Sequence, residues 1–227
     1  GITDLVTDTD IKSERVIKSV IRSFYADHTI LAEESGKDKI SSDYLWIIDP
    51  LDGTTNFVHG YPSFGVSIAL FYKDNPLIAA IVEMPNIRLY TAIQGKGAWC
   101  EGQKITCSKI KKIEQSLFVT GFGYEHGENW KKNMNLFQRM TDVSQGVRRL
   151  GAASIDICHI AKGLAEGFWE YDLKPWDTAA GILIAKESGC KITDLLGNPF
   201  DIYNDSILIT NGLIHEEMVH RIQNYLN

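Results

Sequence analysis

The chain has 227 residues, which at roughly 150 residues per domain allows one large domain or two small ones. Its 23 Lys and Arg against 29 Asp and Glu leave a net charge of -6, which excludes broad coating of nucleic acid, a task that needs a basic face to displace counterions. With 44% apolar and 23% charged residues it has an ordinary globular composition, so disorder, collagen and coiled coil are excluded too.

In chain order, Thr7-Asp8-Thr9-Asp10 precedes Ile17, Val20, Ile21 and Phe24. That spacing predicts a helix from Asp10 to Tyr25, with Thr9 or Asp10 as its N-cap. Thr29 to Ala32 reads as a short strand delivering Glu33 and Glu34, followed by a polar surface loop over 35–43. Tyr44 to Ile48 is a buried strand ending at Asp49, stopped by Pro50 and Gly53. Phe64 to Tyr72, Leu77 to Met84 and Leu89 to Ile93 are strands separated by turn residues, an antiparallel meander. The rhythm then changes. Strands at Leu117 to Thr120, Val147 to Leu150, Gly167 to Tyr171, Cys190 to Thr193 and Ile207 to Thr210 alternate with helices. Those helices are Trp130 to Met140, Ala152 to Lys162, Thr178 to Ser188 and His215 to Leu226. Alternation of this kind predicts layered α/β packing. One unit over 1–227 is expected, an antiparallel-sheet half over 1–110 and an α/β half over 111–227, with the seam near Lys109 to Ser116.

No apolar run reaches the roughly 18 residues of a membrane helix, so no membrane partner is expected. Cys100, Cys107, Cys158 and Cys190 have neither C-x-x-C spacing nor the density of a disulfide framework. Reduced thiols in a cytoplasm-like compartment are expected. The chain opens on Gly1 rather than Met. A natural N-terminus upstream is therefore expected, and a plastid stroma location if a transit segment was removed.

The sharpest stretch is Trp46-Ile47-Ile48-Asp49-Pro50-Leu51-Asp52-Gly53-Thr54-Thr55-Asn56-Phe57. Two carboxylates three positions apart flank a proline that restricts the backbone, so that both can face one point. Hard carboxylate oxygens at a strand end suit Mg²⁺. Gly53, Thr54 and Thr55 offer small residues and amides at the start of a short helix, an anion site that suits phosphate. An acidic turn is the plainer reading of Asp-Pro-x-Asp alone; the apolar run before it and Gly-Thr-Thr after it argue otherwise. Read alone, Asp10 is a helix cap, Glu33-Glu34 a solvated loop and Asp177 an N-cap. Trp46, Trp169 and Trp176 read as core, and His59 as an ordinary loop histidine.

Asp49 to Phe57 resembles the signature of the inositol monophosphatase family, lithium-sensitive, metal-dependent phosphatases. Ala32-Glu33-Glu34-Ser35 is similar to the family's upstream element, and Trp176-Asp177-Thr178-Ala179-Ala180-Gly181 to its downstream one. Val119 to Tyr124 and Gly146 to Gly151 resemble the bacterial and plastid branch. The resemblance implies an α+β fold, layered α-β-α-β-α, whose usual first helix and mobile loop would precede this chain.

It also implies roles. Glu33, Asp49 and the Leu51 carbonyl would hold one Mg²⁺, and Asp49, Asp52 and Asp177 a second, with a third, weaker ion near Glu33. Four acids without metal would repel one another and raise their pKa values. Thr54, hydrogen-bonded to Asp10, would orient or deprotonate the attacking water with help from Glu33. Asp52, Asp177 and the amides of Gly53 and Thr54 would meet the phosphate, and Asp177 would lie just before an apolar helix. Glu170 and Ala153 would meet the polyol, while Ala152 stands where animal members carry Thr. The implied activity is Mg²⁺-dependent hydrolysis of an inositol monophosphate by a homodimer. The alternatives are fructose 1,6-bisphosphate, histidinol phosphate or galactose 1-phosphate as substrate, or a non-catalytic role in a transcription complex.

Overall fold

The computed structural model describes residues 5–123 and 126–226. Tyr124, part of one of the resembling stretches, lies outside them. Helix α1 (Asp8–Phe24) starts two residues earlier than expected, because Thr7 rather than Thr9 or Asp10 is its N-cap. Thr7 Oγ1 accepts from the Thr9 N–H, and Asp10 reaches back to the Thr7 N–H at 2.9 Å. A run of four alternating Thr and Asp offers several caps, and the one that lets Asp10 close this reciprocal pair is used.

Strands β1 (Thr29–Ala32), β2 (Gly36–Lys37), β3 (Tyr44–Asp52), β4 (Phe64–Tyr72), β5 (Asn75–Met84), β6 (Arg88–Ile93), β7 (Gly97–Cys100) and β8 (Gln103–Ile105) form one sheet in the order β2-β1-β3-β4-β5-β6-β7-β8. The β3-to-β6 meander is as expected; β1 joins it parallel to β3. β2, β7 and β8 went unpredicted, being two to four residues long and set among glycines. Ile47 packs in the central core while Ile48, its neighbour, packs beneath α1. β3 is thus covered on both faces, and a continuous apolar run replaces alternation.

β9 (Leu117–Thr120), β10 (Gly146–Arg148), β11 (Gly167–Tyr171), β12 (Lys191–Thr193) and β13 (Ser206–Thr210) form the second sheet, ordered β10-β9-β11-β13-β12, with both parallel and antiparallel pairs. Helices α3 (Glu128–Val143) and α6 (His215–Leu226) cover its outer face through Leu136, Met140, Met218 and Ile222, packed on Trp169 and Leu208. Helices α4 (Ala153–Ala161) and α5 (Pro175–Glu187) lie between the two sheets. α5 buries Thr178 to Gly181 and Leu183 to Ala185, as a helix sandwiched between layers must. With the short α2 (Thr54–His59) beside β4, the order of layers is helix, sheet, helix, sheet, helix. This is the predicted α+β arrangement. No helix among the described residues is long and apolar enough to cross a membrane.

Two boundaries matter for the site. β3 does not stop at Asp49 but runs to Asp52, with a register shift against β4 between those two residues. In a regular strand, positions three apart face opposite sides; the bulge re-aims one of them. α5 begins at Pro175, not Thr178, so Asp177 stands inside its first turn rather than before the helix.

Candidate active site

A cavity of about 840 Å³ opens where the C-terminal end of β3 meets the N-terminal ends of α2, α4 and α5. Glu33, Asp49, Leu51, Asp52, Gly53, Thr54, Ala153, Glu170 and Asp177 all line it. Asp10 alone of the expected site residues does not. It is fully buried and reaches the cavity only through Thr54, whose Oγ1 lies 3.1 Å from Asp10 Oδ1 and 3.0 Å from the Leu51 carbonyl. The threonine has one proton to donate, so at any moment the other contact leaves an oxygen lone pair available. Asp10 is therefore both a capping residue and a support for Thr54.

Backbone contacts hold the acids in place. Glu14 of α1 is buried and accepts from the Glu34 N–H at 3.0 Å, pinning the turn that carries Glu33. Ser13 Oγ donates to the Pro50 carbonyl at 2.9 Å, and the Leu51 N–H donates to Asp49 Oδ1 at 3.0 Å. Gly53 adopts φ +83°, and a Cβ there would sit 2.9 Å from the Ser63 carbonyl. Only glycine fits this left-handed turn into α2. Asn56 Nδ2 donates to the Ser63 and Leu150 carbonyls, fastening α2 to the segment before α4.

The N-cap of α4 is Ala152, which has no side-chain oxygen to offer. Asp52 does that work, 102 residues before Ser154. Its Oδ2 accepts from the Ser154 N–H at 2.7 Å and the Ser154 hydroxyl at 2.5 Å. Ser154 is fully buried, and no local pattern in the sequence marks it. Asp177 accepts from the Lys174 N–H at 2.6 Å, which fixes its carboxylate at the start of α5.

Burial, then the charge of Asp177, pushes Glu33 up to about 8 against a hydrogen bond with Asp49. Burial and the charges of Asp52, Glu33 and Asp177 push Asp49 up. Burial raises Asp52 despite its Ser154 donors, and burial with the Asp52 charge brings Asp177 to about 7. All four acids therefore repel as expected. Among the described residues no three His, Cys, Asp or Glu side chains are already drawn around one point. Their donor set of hard carboxylate and carbonyl oxygens fits Mg²⁺.

The far half of the cavity holds Gly121, Arg149, Ala153, Asp156, Glu170 and Asp172. Glu170 sits directly over Gly121, where a Cβ would fall 2.2 Å from its carboxylate oxygens. Asp156 is fully buried with neither oxygen hydrogen-bonded. It was not foreseen, since an acid inside an apolar helix reads as surface. Trp169 is buried core, and half-buried Trp46 and Trp176 pack against core clusters, as expected; Trp176 also lines the cavity. His59 ends α2, exposed and away from the cavity.

Comparison with known proteins agrees with this geometry. The inositol monophosphatase family model matches residues 1–227. Phosphatase IMPL1, chloroplastic, of Arabidopsis thaliana is 52% identical over 98% of this chain; the chain spans 62% of that relative's length. An inositol-1-monophosphatase of Synechocystis is 40% identical, covering 95% of this chain and 75% of the relative. A Nus factor SuhB of Pseudomonas aeruginosa is 37% identical, covering 98% and 84%. The inositol monophosphatase structure from Anabaena superposes with a TM-score of 0.93 at 40% identity, covering 96% of this chain and 87% of that one. An IMPase/NADP phosphatase complexed with Mg²⁺ and phosphate superposes at 0.85 and 30% identity, covering 98% and 83%. A full-length family match, a superposable fold and the acids of all three motifs on one cavity lead to one assignment: the chain belongs to the inositol monophosphatase family.

Proposed function

We propose that this chain hydrolyses a small phosphomonoester, an inositol monophosphate before others, with Mg²⁺. The observation that carries the reading is the meeting of Glu33, Asp49, Leu51, Asp52, Thr54 and Asp177 with Glu170 and Ala153 on one cavity. Glu33, Asp49, the Leu51 carbonyl, Asp52 and Asp177 would hold two to three ions. When bound, Mg²⁺ supplies Lewis-acid stabilisation of the phosphoryl oxygens and makes water a better nucleophile.

The protein's own residues do the rest. The start of α2, at Gly53 and Thr54, receives the phosphate. Thr54, supported by Asp10, orients the attacking water, and half-buried Glu33 takes its proton. Attack in line on phosphorus breaks the bond to the ester oxygen, which leaves as the alcohol after gaining a proton. Glu170 accepts hydrogen bonds from substrate hydroxyls, beside the Ala153 backbone. A homodimer located in the plastid stroma or the cytoplasm belongs to the same proposal; sedimentation and cell fractionation test those parts.

Phosphate release from inositol 1-phosphate by the full-length protein, with and without Mg²⁺ and beside Asp52→Asn, tests the reading. Metal-dependent release that vanishes in the variant is expected. A panel with fructose 1,6-bisphosphate, histidinol phosphate and galactose 1-phosphate then ranks substrates. Absence of release from every ester would overturn the catalytic reading and favour a non-catalytic role in a transcription complex.

A further inference from the structure

Cys107 and Cys190, separated by most of the second half of the chain, come together at the edges of the two sheets. Cys107 follows β8, the last strand of the first sheet, and Cys190 precedes β12, the last strand of the second. The Cys107 N–H donates to the Ser188 carbonyl at 3.1 Å. Its Sγ lies 3.7 Å from where a Gly189 Cβ would stand, next to Cys190, and 3.6 Å from the Asn211 carbonyl. Ser188 Oγ is 3.4 Å from Cys190 Sγ. Both residues are free thiols.

Their surroundings differ in a useful way. Cys107 is 5% exposed, whereas Cys190 is half-buried and lines a second cavity of about 470 Å³. Leu45, Phe71, Ile182 and Phe200 wall that cavity, and Lys186 and Lys191 also border it. A soluble disulfide can therefore approach Cys190 from solvent. The hydrogen bond from Cys190, aided by the Lys109 charge and opposed by burial, brings the Cys107 thiol down to about 6. A thiolate is the attacking form in disulfide exchange. Cys100 and Cys158 are sealed in the central core and have no such access.

We propose that Cys107 and Cys190 form an oxidisable pair, a dithiol that reacts with a soluble disulfide and closes into a bond stapling the edges of the two sheets. A hydrogen bond with Cys107 and burial push the Cys190 thiol up, so Cys190 passes its proton to the Cys107 thiolate as it attacks one sulfur of the incoming disulfide. A mixed disulfide forms, and the thiolate released takes that proton from Cys107. The Cys107 thiolate then attacks the Cys190 sulfur, forms the internal S–S bond and releases the second thiolate. The protein loses two electrons and two protons; the oxidant gains both electrons and becomes two thiols. About 15 Å of α5 separates the staple from Asp177, so the bond tightens the fold without entering the phosphatase chemistry. The pair does not depend on the proposed substrate.

The test is an incubation of the full-length protein with a graded series of oxidised and reduced glutathione. Three readouts follow: a thiol count in denaturant, intact mass and peptide mapping. Loss of two of the four thiols, a mass change of about -2 Da and a Cys107–Cys190 cross-linked peptide are expected. The thermal midpoint should rise by on the order of 10 °C and return with dithiothreitol. Cys107→Ser should instead stop at a glutathione adduct on Cys190. Four intact thiols in fully oxidised glutathione, a stable adduct on wild-type Cys190, or a bond between other cysteines would each overturn the proposal. The wild-type readouts decide it even if a variant fails to fold.

Discussion

Replacing Ser154 by Ala removes one hydroxyl that touches no substrate in the proposed scheme, and the consequence can be worked from the contacts. The Ser154 Oγ–H meets Asp52 Oδ2 at 2.5 Å inside a fully buried helix turn, beside the Ser154 N–H at 2.7 Å. A hydrogen bond to a charged group contributes about 1.5–3 kcal/mol. The backbone donors remain, so the helix keeps its cap while Asp52 loses its lateral restraint. Unfolding free energy should fall by about 2 kcal/mol, lowering the thermal midpoint by about 4–8 °C. Residues that orient a metal ligand cost roughly 10–100-fold in metal affinity or activity when removed. The Mg²⁺ concentration for half-maximal phosphate release should rise by that factor, while the rate at saturating Mg²⁺ stays within a few-fold. Ser154→Thr, which keeps a hydroxyl, should recover part of the metal affinity. Isothermal titration with Mn²⁺ gives the affinity without turnover. An unchanged metal titration together with an unchanged midpoint would refute the idea that Ser154 positions Asp52.

Three other outcomes are expected. Asp49→Asn should abolish phosphate release yet raise the metal-free thermal midpoint, because Asp49 is buried among Asp52, Glu33 and Asp177, which repel it; a lower midpoint would contradict the repulsion. Gly121→Ala should force Glu170 out of its seat, since the new Cβ would fall 2.2 Å from the carboxylate oxygens. Its KM for inositol 1-phosphate should rise more than its KM for p-nitrophenyl phosphate, which lacks the polyol; equal changes would remove Glu170 from substrate selection. Burial, with the Lys191 charge, lowers His215 to about 4, below its ordinary 6.5, and its ring bonds Thr193 and Thr210 at 3.0 Å. A depressed histidine contributes stability above the unfolded pKa and loses it as pH falls from about 6.5 to 4, a range worth about 3 kcal/mol. Chemical denaturation across that range should be less steeply pH-dependent in His215→Gln, and parallel curves would refute the assignment.

What the sequence made legible follows the length scale of each signal. The β3-to-β6 meander is written in local apolar runs and turn residues, and the acids of Asp49 to Phe57 in one short stretch. Asp49 and Asp52 were expected to converge through Pro50; the structure adds the β-bulge, a property of pairing with β4 that β3 alone does not encode. Helix starts moved by a few residues because Thr7-Asp8-Thr9-Asp10 and Lys174-Pro175-Trp176-Asp177 each contain more than one competent start. The contacts of Ser154, Asn56 and Asp156 could not be read from their own stretches of sequence. Their meaning lies in contacts 94 to 102 residues away for Asn56 and Ser154, and in the enclosing cavity for Asp156. Ala152 carries a second role that its own residue type does not announce. It stands where animal members carry Thr, and the structure adds that it caps α4 without a side chain, the cap being supplied by Asp52.

The same arrangement makes stability and metal binding one question. Asp49 and Asp52 are buried, Glu33 and Asp177 share their cavity, and burial raises all four, joined by neighbouring acids for Glu33, Asp49 and Asp177. Raised acids in the folded state mean that folding either retains protons or tolerates repulsion, and a divalent cation relieves both. A ligand that binds only the folded state stabilises it by about 2.7 kcal/mol at 100 times its Kd. For a chain of this size that is a rise of about 5–10 °C in thermal midpoint. The rise should grow with Mg²⁺ concentration, fail to appear with a monovalent salt of equal ionic strength, and shrink in Asp49→Asn. Differential scanning calorimetry of the metal-free protein with added Mg²⁺ measures it without any substrate. A midpoint indifferent to Mg²⁺ would mean that these acids do not gather a metal in the folded protein, and the catalytic reading would then lose its physical basis whatever the family likeness.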